Sequence, residues 1–516
     1  MSVTSAPAFG AWLDDFLTAY YRLRPVNATF IGVHDFDEAL PDLSEAGTAA
    51  TLDNADGLLA RLHSLPPEDV SGAEALDRQL AEGFLLIQRW ESSSAHFGWG
   101  NPSVATGEAV FGVLGLLLQG RRGAANTRLI GLPALLRAAE QHVRAAPLAW
   151  VERARRECTG GRLLMGQLDL PGAAAAAEAF ARFDAWLERE LLPQAGDAYA
   201  CGDEAFALLL RHGHFLELST DELERLALER MAEQEAVLAR GAPADQGATV
   251  HDDYLGRFAE VWHEVREAAQ ERDLLTFPEW PVRYVEQPEW VRAAAPYLYF
   301  LPYRSPPPLD PPPVVDYFAP LGADEATIKL NHVVHHGSIG HHVQNWHAAR
   351  AESRIGRIAA VDCAARIAML CGGTLAEGWA CYSTDLAEEL GLLTPGEQYA
   401  QRQTQVRIAA RAIVDIRLHH GRFSLAEAAQ FYVERVGMSA TAAHSEAVKN
   451  SLFPGTACMY LAGWEGIRRL RHLVAGDSLR EFHDRLLSFG SVPVALIARA
   501  MLERSPAAAH HSGGRS

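Results

Sequence analysis

Cysteine is scarce: six in 516 residues, at 158, 201, 363, 371, 381 and 458, with no CxxC pair. That excludes a disulfide scaffold and a cysteine-rich zinc module, and leaves reduced core thiols. Long apolar runs are missing as well. The longest, around Val110–Leu118, is too short to cross a bilayer. The first ten residues have no basic start and no apolar run, so no secretory leader is expected, and the chain is assigned to the cytoplasm. Asn27-Ala28-Thr29 matches a glycosylation sequon, to which a cytoplasmic chain gives no weight. Basic residues are outnumbered, 46 Lys and Arg against 65 Asp and Glu, for a formal net charge of −19. Such a chain repels phosphate backbones and anionic lipid, so nucleic-acid and membrane partners are not expected. Strand-like alternation is also rare.

Helical patterning fills the chain. Ala11–Arg22 places Trp12, Phe16, Ala19 and Tyr20 on one stripe. Ala75–Glu91, Pro133–Glu157, Asp221–Arg240 and Asp252–Glu271 read similarly, and Gly172–Glu188 is rich in alanine, the strongest helix former. The expected fold is mainly α: a large helical body with a deep metal-bearing cleft. It divides into a helical half at 1–245, a metal-binding half at 246–505 and a disordered tail at 506–516. The prolines in Leu301–Val315 exclude helix and predict an extended segment leading into the most unusual part of the chain.

That part reads NHVVHHGSIGHHVQNWH over 331–347, and it holds six of the 21 histidines. A neutral imidazole nitrogen is the commonest transition-metal donor, so the density predicts a metal site. On a regular helix only His332 and His336 stand at i, i+4; His335 and His342 share a face but sit about 10 Å apart along the axis. Gly337 and Gly340 permit a bulge that could bring His335 near His341 or His342, and the spacing leaves that choice open. A further ligand is expected, and Glu377 stands alone in an apolar stretch at 367–382. Asp415 and His419, at i, i+4, are candidates to orient a ligand from behind. Glu446, Lys449 and Tyr460 bracket a break at Phe453-Pro454-Gly455 and are candidate pocket residues.

In this order the motifs resemble the bacterial family called domain of unknown function 885, thought to be zinc-metallopeptidase-like and mainly helical. The stretch Arg24–His34 is similar to its NPxxATxxGxH opening. His335–Gln344 is similar to its HExxPGHHxQ box, and Glu377–Thr384 to its EGWALYAE box. Val414–Phe423 resembles VDxGLHxxGW, and Pro454–Tyr460 resembles PGQALSY. The chain departs from the pattern at several points. His336 replaces the glutamate that accepts a proton in zinc peptidases, Ile339 replaces proline and Thr384 the final glutamate. Lys449 and Asn450 replace an arginine–tyrosine pair, and Thr456 a glutamine. The resemblance therefore implies retained ligands (His335, His341 or His342, and Glu377) beside altered chemistry. The expected function is a zinc-dependent hydrolase of a small amide or short-peptide substrate. In it His336 would relay the proton and Tyr382 or Tyr460 would stabilise the oxyanion. A lyase or Fe2+- or Mn2+-dependent enzyme, or an inactive metal-binding homologue, are the alternatives.

Overall fold

Helix after helix is built on the spacing legible in the sequence. In the helix Ala6–Leu23, Phe9, Trp12, Phe16 and Tyr20 recur every three or four residues and are all buried. Their rings stack in series at 5.7, 5.7 and 6.5 Å, and the indole of Trp12 donates to the Leu58 carbonyl at 3.0 Å. The computed structural model describes residues 6–66, 70, 72–243, 253–292, 315–358, 372–474 and 476–503. The expected proline-rich segment and tail fall largely outside them. Among the described residues, capping boxes start four helices. Thr394 with Glu397 opens Pro395–His419, and Ser219, Ser424 and Ser478 act likewise with Glu222, Glu427 and Glu481.

The helix expected over 133–157 is two helices, Arg122–His142 and Leu148–Gly166. Pro133 is accommodated inside the first, whereas Pro147, extended at ψ 147, forms the break and caps the second. Among the described residues the only named strands are β1 (Val282–Glu286) and β2 (Val315–Ala319). They pair in parallel with Val282 opposite Val315 and Glu286 opposite Ala319. The fold is thus mainly α, as expected.

The main core takes residues from both sides of the expected boundary at 245, from Phe9 and Trp12 to Trp464 and Ile497. A smaller core lies within 105–191. The short buried helix Pro25–Ile31 is held beneath it by Arg128, which donates to the carbonyls of Ala39, Gly112, Pro25 and Phe36 and to Thr29 Oγ1 at 2.8–3.2 Å. Asn27 on that helix is 1% exposed, so the sequon is closed to any modifying enzyme.

Candidate metal centre

Residues Thr327–Ser338 form a π-helix, with i→i+5 hydrogen bonds that widen the turn. The chain then bends at Ile339 and Gly340 and re-enters an α-helix at His341–Ala348. A Cβ on Gly340 would stand 1.9 Å from the His335 carbonyl oxygen, so only glycine lets the chain double back this tightly. Two indoles fasten the bend: Trp379 donates to the carbonyls of Ile339 and Gly340 at 2.9 and 3.2 Å, and Trp262 donates to that of Gly337 at 2.8 Å. The bend therefore brings His341 back onto His335, with ring centroids 4.9 Å apart.

Glu377 comes from the helix Gly373–Glu389. That helix crosses Cys458–Leu473 at backbone contact: a Cβ on Gly378 would meet the Gly463 carbonyl carbon at 2.4 Å, and one on Gly463 would meet the Thr374 oxygen at 1.8 Å. This crossing and the Trp379 bonds set Glu377 against the histidines. Its Oε2 lies 3.5 Å from His335 Nε2 and 3.6 Å from His341 Nε2. It is buried without a hydrogen-bond partner at ordinary geometry. Burial pushes its carboxyl up, but the two imidazoles outweigh that and hold it well below the usual range.

These separations test whether an ion fits. Two ligand atoms about 2.1 Å from one ion at a tetrahedral angle stand about 3.4 Å apart. The observed 3.5 and 3.6 Å match that spacing and exceed an ordinary hydrogen bond. Donor atoms of His335, His336 and His341 also lie within 4.8 Å of one another. His336 Nδ1 donates to the Asn331 carbonyl at 2.5 Å, which leaves the lone pair on Nε2, the tautomer that a ligand or a base requires. Burial, then the neighbouring imidazoles, drive its pKa well below the ordinary value. His332 stacks on His336 but bonds to Tyr317 through Nδ1.

Three expectations need correction. His342 Nε2 pairs with the Trp280 carbonyl at 2.9 Å and is 2% exposed, so of the pair it is His341 that faces Glu377. Tyr382 points away from Glu377; its hydroxyl accepts from Arg471 at 2.8 Å and pairs with His483 at 3.1 Å. Asp415 and His419 do not back a histidine ligand. Asp415 accepts from the amides of Gly455 and Cys458, and His419 pairs with the Asn450 carbonyl. Burial raises Asp415 to about 7 against those two bonds. The pair braces the break at Phe453–Gly455, and through it the segment bearing Tyr460.

A cavity of about 1770 Å³ opens onto this centre. His335, His336, Glu377, Lys449 and Tyr460 line it, and so do Arg407 and Arg411, which sequence reasoning left without a role. Arg411 pairs with Glu446 at 2.5 Å and lies over the Tyr460 ring at 5.4 Å. The available signal was polar residues on the buried face of Pro395–His419, where Gln401, Gln405, Asp415 and His419 interrupt an apolar stripe.

Residues 25–501 match the model of a family described as bacterial protein of unknown function, DUF885. The chain belongs to that family. Two solved structures share its fold. A candidate lipoprotein of unknown function from Shewanella oneidensis is 18% identical, with a TM-score of 0.71, covering 96% of this chain and 99% of its own. A candidate lipoprotein from Colwellia psychrerythraea is also 18% identical, with a TM-score of 0.75, covering 98% and 100%. No curated protein matches the chain. Among the described residues no helix is long and apolar enough to cross a membrane.

Proposed function

We propose that this DUF885 protein is a metal-dependent hydrolase of small amide or short-peptide substrates. His335, His341 and Glu377 would hold the ion, with zinc favoured by the two-imidazole, one-carboxylate donor set. The observation that carries the reading is Glu377 Oε2: buried, without a hydrogen-bond partner, and at metal-bridging distance from two imidazole nitrogens. A divalent ion held there supplies Lewis-acid activation of a carbonyl and of water. His336, with Nδ1 tied to Asn331, offers Nε2 to accept a proton beside the ligands. Tyr460, which lines the same cavity, is the hydroxyl suited to donate to a carbonyl oxygen as it gains charge. The cavity exceeds the roughly 300–1,000 Å³ of a drug-sized pocket, which suits a short peptide.

The same three donors also describe an iron triad, and a histidine in the place of the expected glutamate favours that second reading. Elemental analysis of the purified protein separates the two, run beside a His335→Ala, Glu377→Gln double variant. About one zinc per chain, lost in the variant, together with turnover of small amides, is the expected result. Iron or manganese moves the assays to lyase and oxygen-dependent chemistry. No metal after reconstitution sinks both readings. Location is open to the same kind of test. Two solved structures of the same fold are named as candidate lipoproteins, which favours a site outside the cytoplasm over the one expected from the thiols. Cell fractionation decides between them.

A further inference from the structure

The cavity wall does not share the acidity of the chain. Among the described residues, seven Arg and Lys side chains line it against six Asp and Glu, in a protein of formal net charge −19. Most of the acids are already used. Glu446 pairs with Arg411, Glu397 with Lys329, Glu325 with Arg257 and Glu157 with Arg153. Arg407 has no such partner. Among the described residues it makes no hydrogen bond and no ion pair, and its Nε is fully buried without an acceptor. Arg411 stands near it with the same charge, and Glu446, whose charge reaches both, gives its hydrogen bond to Arg411. Lys449 adds a third cation beside Glu446 without pairing to it. The Cys381 thiol, one turn beyond Glu377, feels the charges of Glu377, Arg407 and Arg411 together, so the cationic cluster adjoins the candidate metal centre.

A guanidinium that lines a cavity with its Nε buried and without an acceptor is a costly arrangement that a ligand would complete. Its planar fork matches a carboxylate through two parallel hydrogen bonds. We propose that Arg407, assisted by Lys449, is the subsite for a carboxylate on the substrate, so that the cavity selects acidic amides or peptides with a free carboxylate near the bond to be cleaved. This rests on the hydrolase reading for its meaning, but carboxylate binding can be measured apart from turnover and from metal content.

The probes are N-benzoylglycine and its neutral amide, titrated calorimetrically into the full chain with its metal content recorded. The expected result is that the acid binds about thirty-fold or more tighter than the amide. Arg407→Gln should remove that preference while keeping the wild-type metal content, Arg407→Lys should restore part of it, and Lys449→Gln, at an exposed position that does not endanger the fold, should reduce it. A wild type that binds acid and amide alike overturns the proposal, as does an Arg407→Gln variant that folds and keeps the preference. Inorganic phosphate that binds more tightly than the acid overturns the carboxylate assignment. A protein without metal that still prefers the acid leaves the subsite standing and defeats the hydrolase reading alone.

Discussion

Replacing Gly463 with alanine tests the helix crossing that carries Glu377. The added methyl would stand 1.8 Å from the Thr374 carbonyl oxygen and 2.9 Å from Gly378 Cα. A carbon–oxygen contact needs about 3.3 Å, so the two helices must separate by about 1.5 Å. Glu377 precedes Gly378 on the displaced helix. A shift of that size carries its Oε2 from 3.5 and 3.6 Å towards 5 Å from the imidazoles, taking about 1.5 Å as the displacement. One ion can join donors no more than about 4.2 Å apart. Overpacking of this kind costs about 3 kcal/mol at the upper end, and alanine returns about 1 kcal/mol of helix propensity, for a net loss near 2. Gly463→Ala should therefore unfold at lower urea concentration and bind zinc at least about tenfold more weakly. Gly57→Ala serves as the control, since a Cβ there meets nothing within 4 Å in the helix Glu45–Ser64. It should stabilise the protein by about 0.5–1 kcal/mol. If Gly463→Ala unfolds like the wild type and keeps its zinc, the crossing does not position Glu377 and the reasoning fails.

Arg128→Met should cost at least about 4 kcal/mol in urea titrations, because it leaves buried carbonyls of residues 25, 36, 39 and 112 without their donor; a loss under 1 kcal/mol would show that water replaces it. Lys329→Met should destabilise by about 3 kcal/mol, since it leaves the buried Glu397 carboxylate only its Thr394 amide, and adding Glu397→Gln, which removes the charge and keeps that cap, should recover most of the loss; no recovery in the double variant would refute the pairing argument. Acid should unfold the protein early. Burial depresses His96, His214 and His483 to about 4 against the backbone bond each makes, while the unfolded chain takes up those protons near 6.5. Their contribution is full above pH 6.5 and is lost as pH falls towards 4, at about 1.4 kcal/mol per pH unit for each histidine. A urea midpoint unchanged between pH 7.5 and 5 would contradict this.

Much of the molecule was legible because its signals are local. Apolar spacing in Ala6–Leu23, capping pairs such as Thr394 with Glu397, and the density of imidazoles at 332–347 each act within a few residues. They predicted a helical body, a donor cluster and the lone glutamate of the apolar stretch at 367–382. The sequence could not choose between His341 and His342, since adjacent residues differ only in direction. That direction depends on a π-helix ended by Gly340 and pinned by Trp379 from another helix. Tyr382 and Asp415 misled for a related reason: a polar residue near the site in sequence can spend its bonds on a distant partner, here Arg471 and the Gly455 amide. Arg407 went unseen because its significance lies in lacking a partner, and only the assembled structure shows which charges are already matched. The chain by itself thus determines which donors exist and which stretches coil. Tertiary packing decides which donors converge, because convergence depends on contacts between residues far apart in sequence.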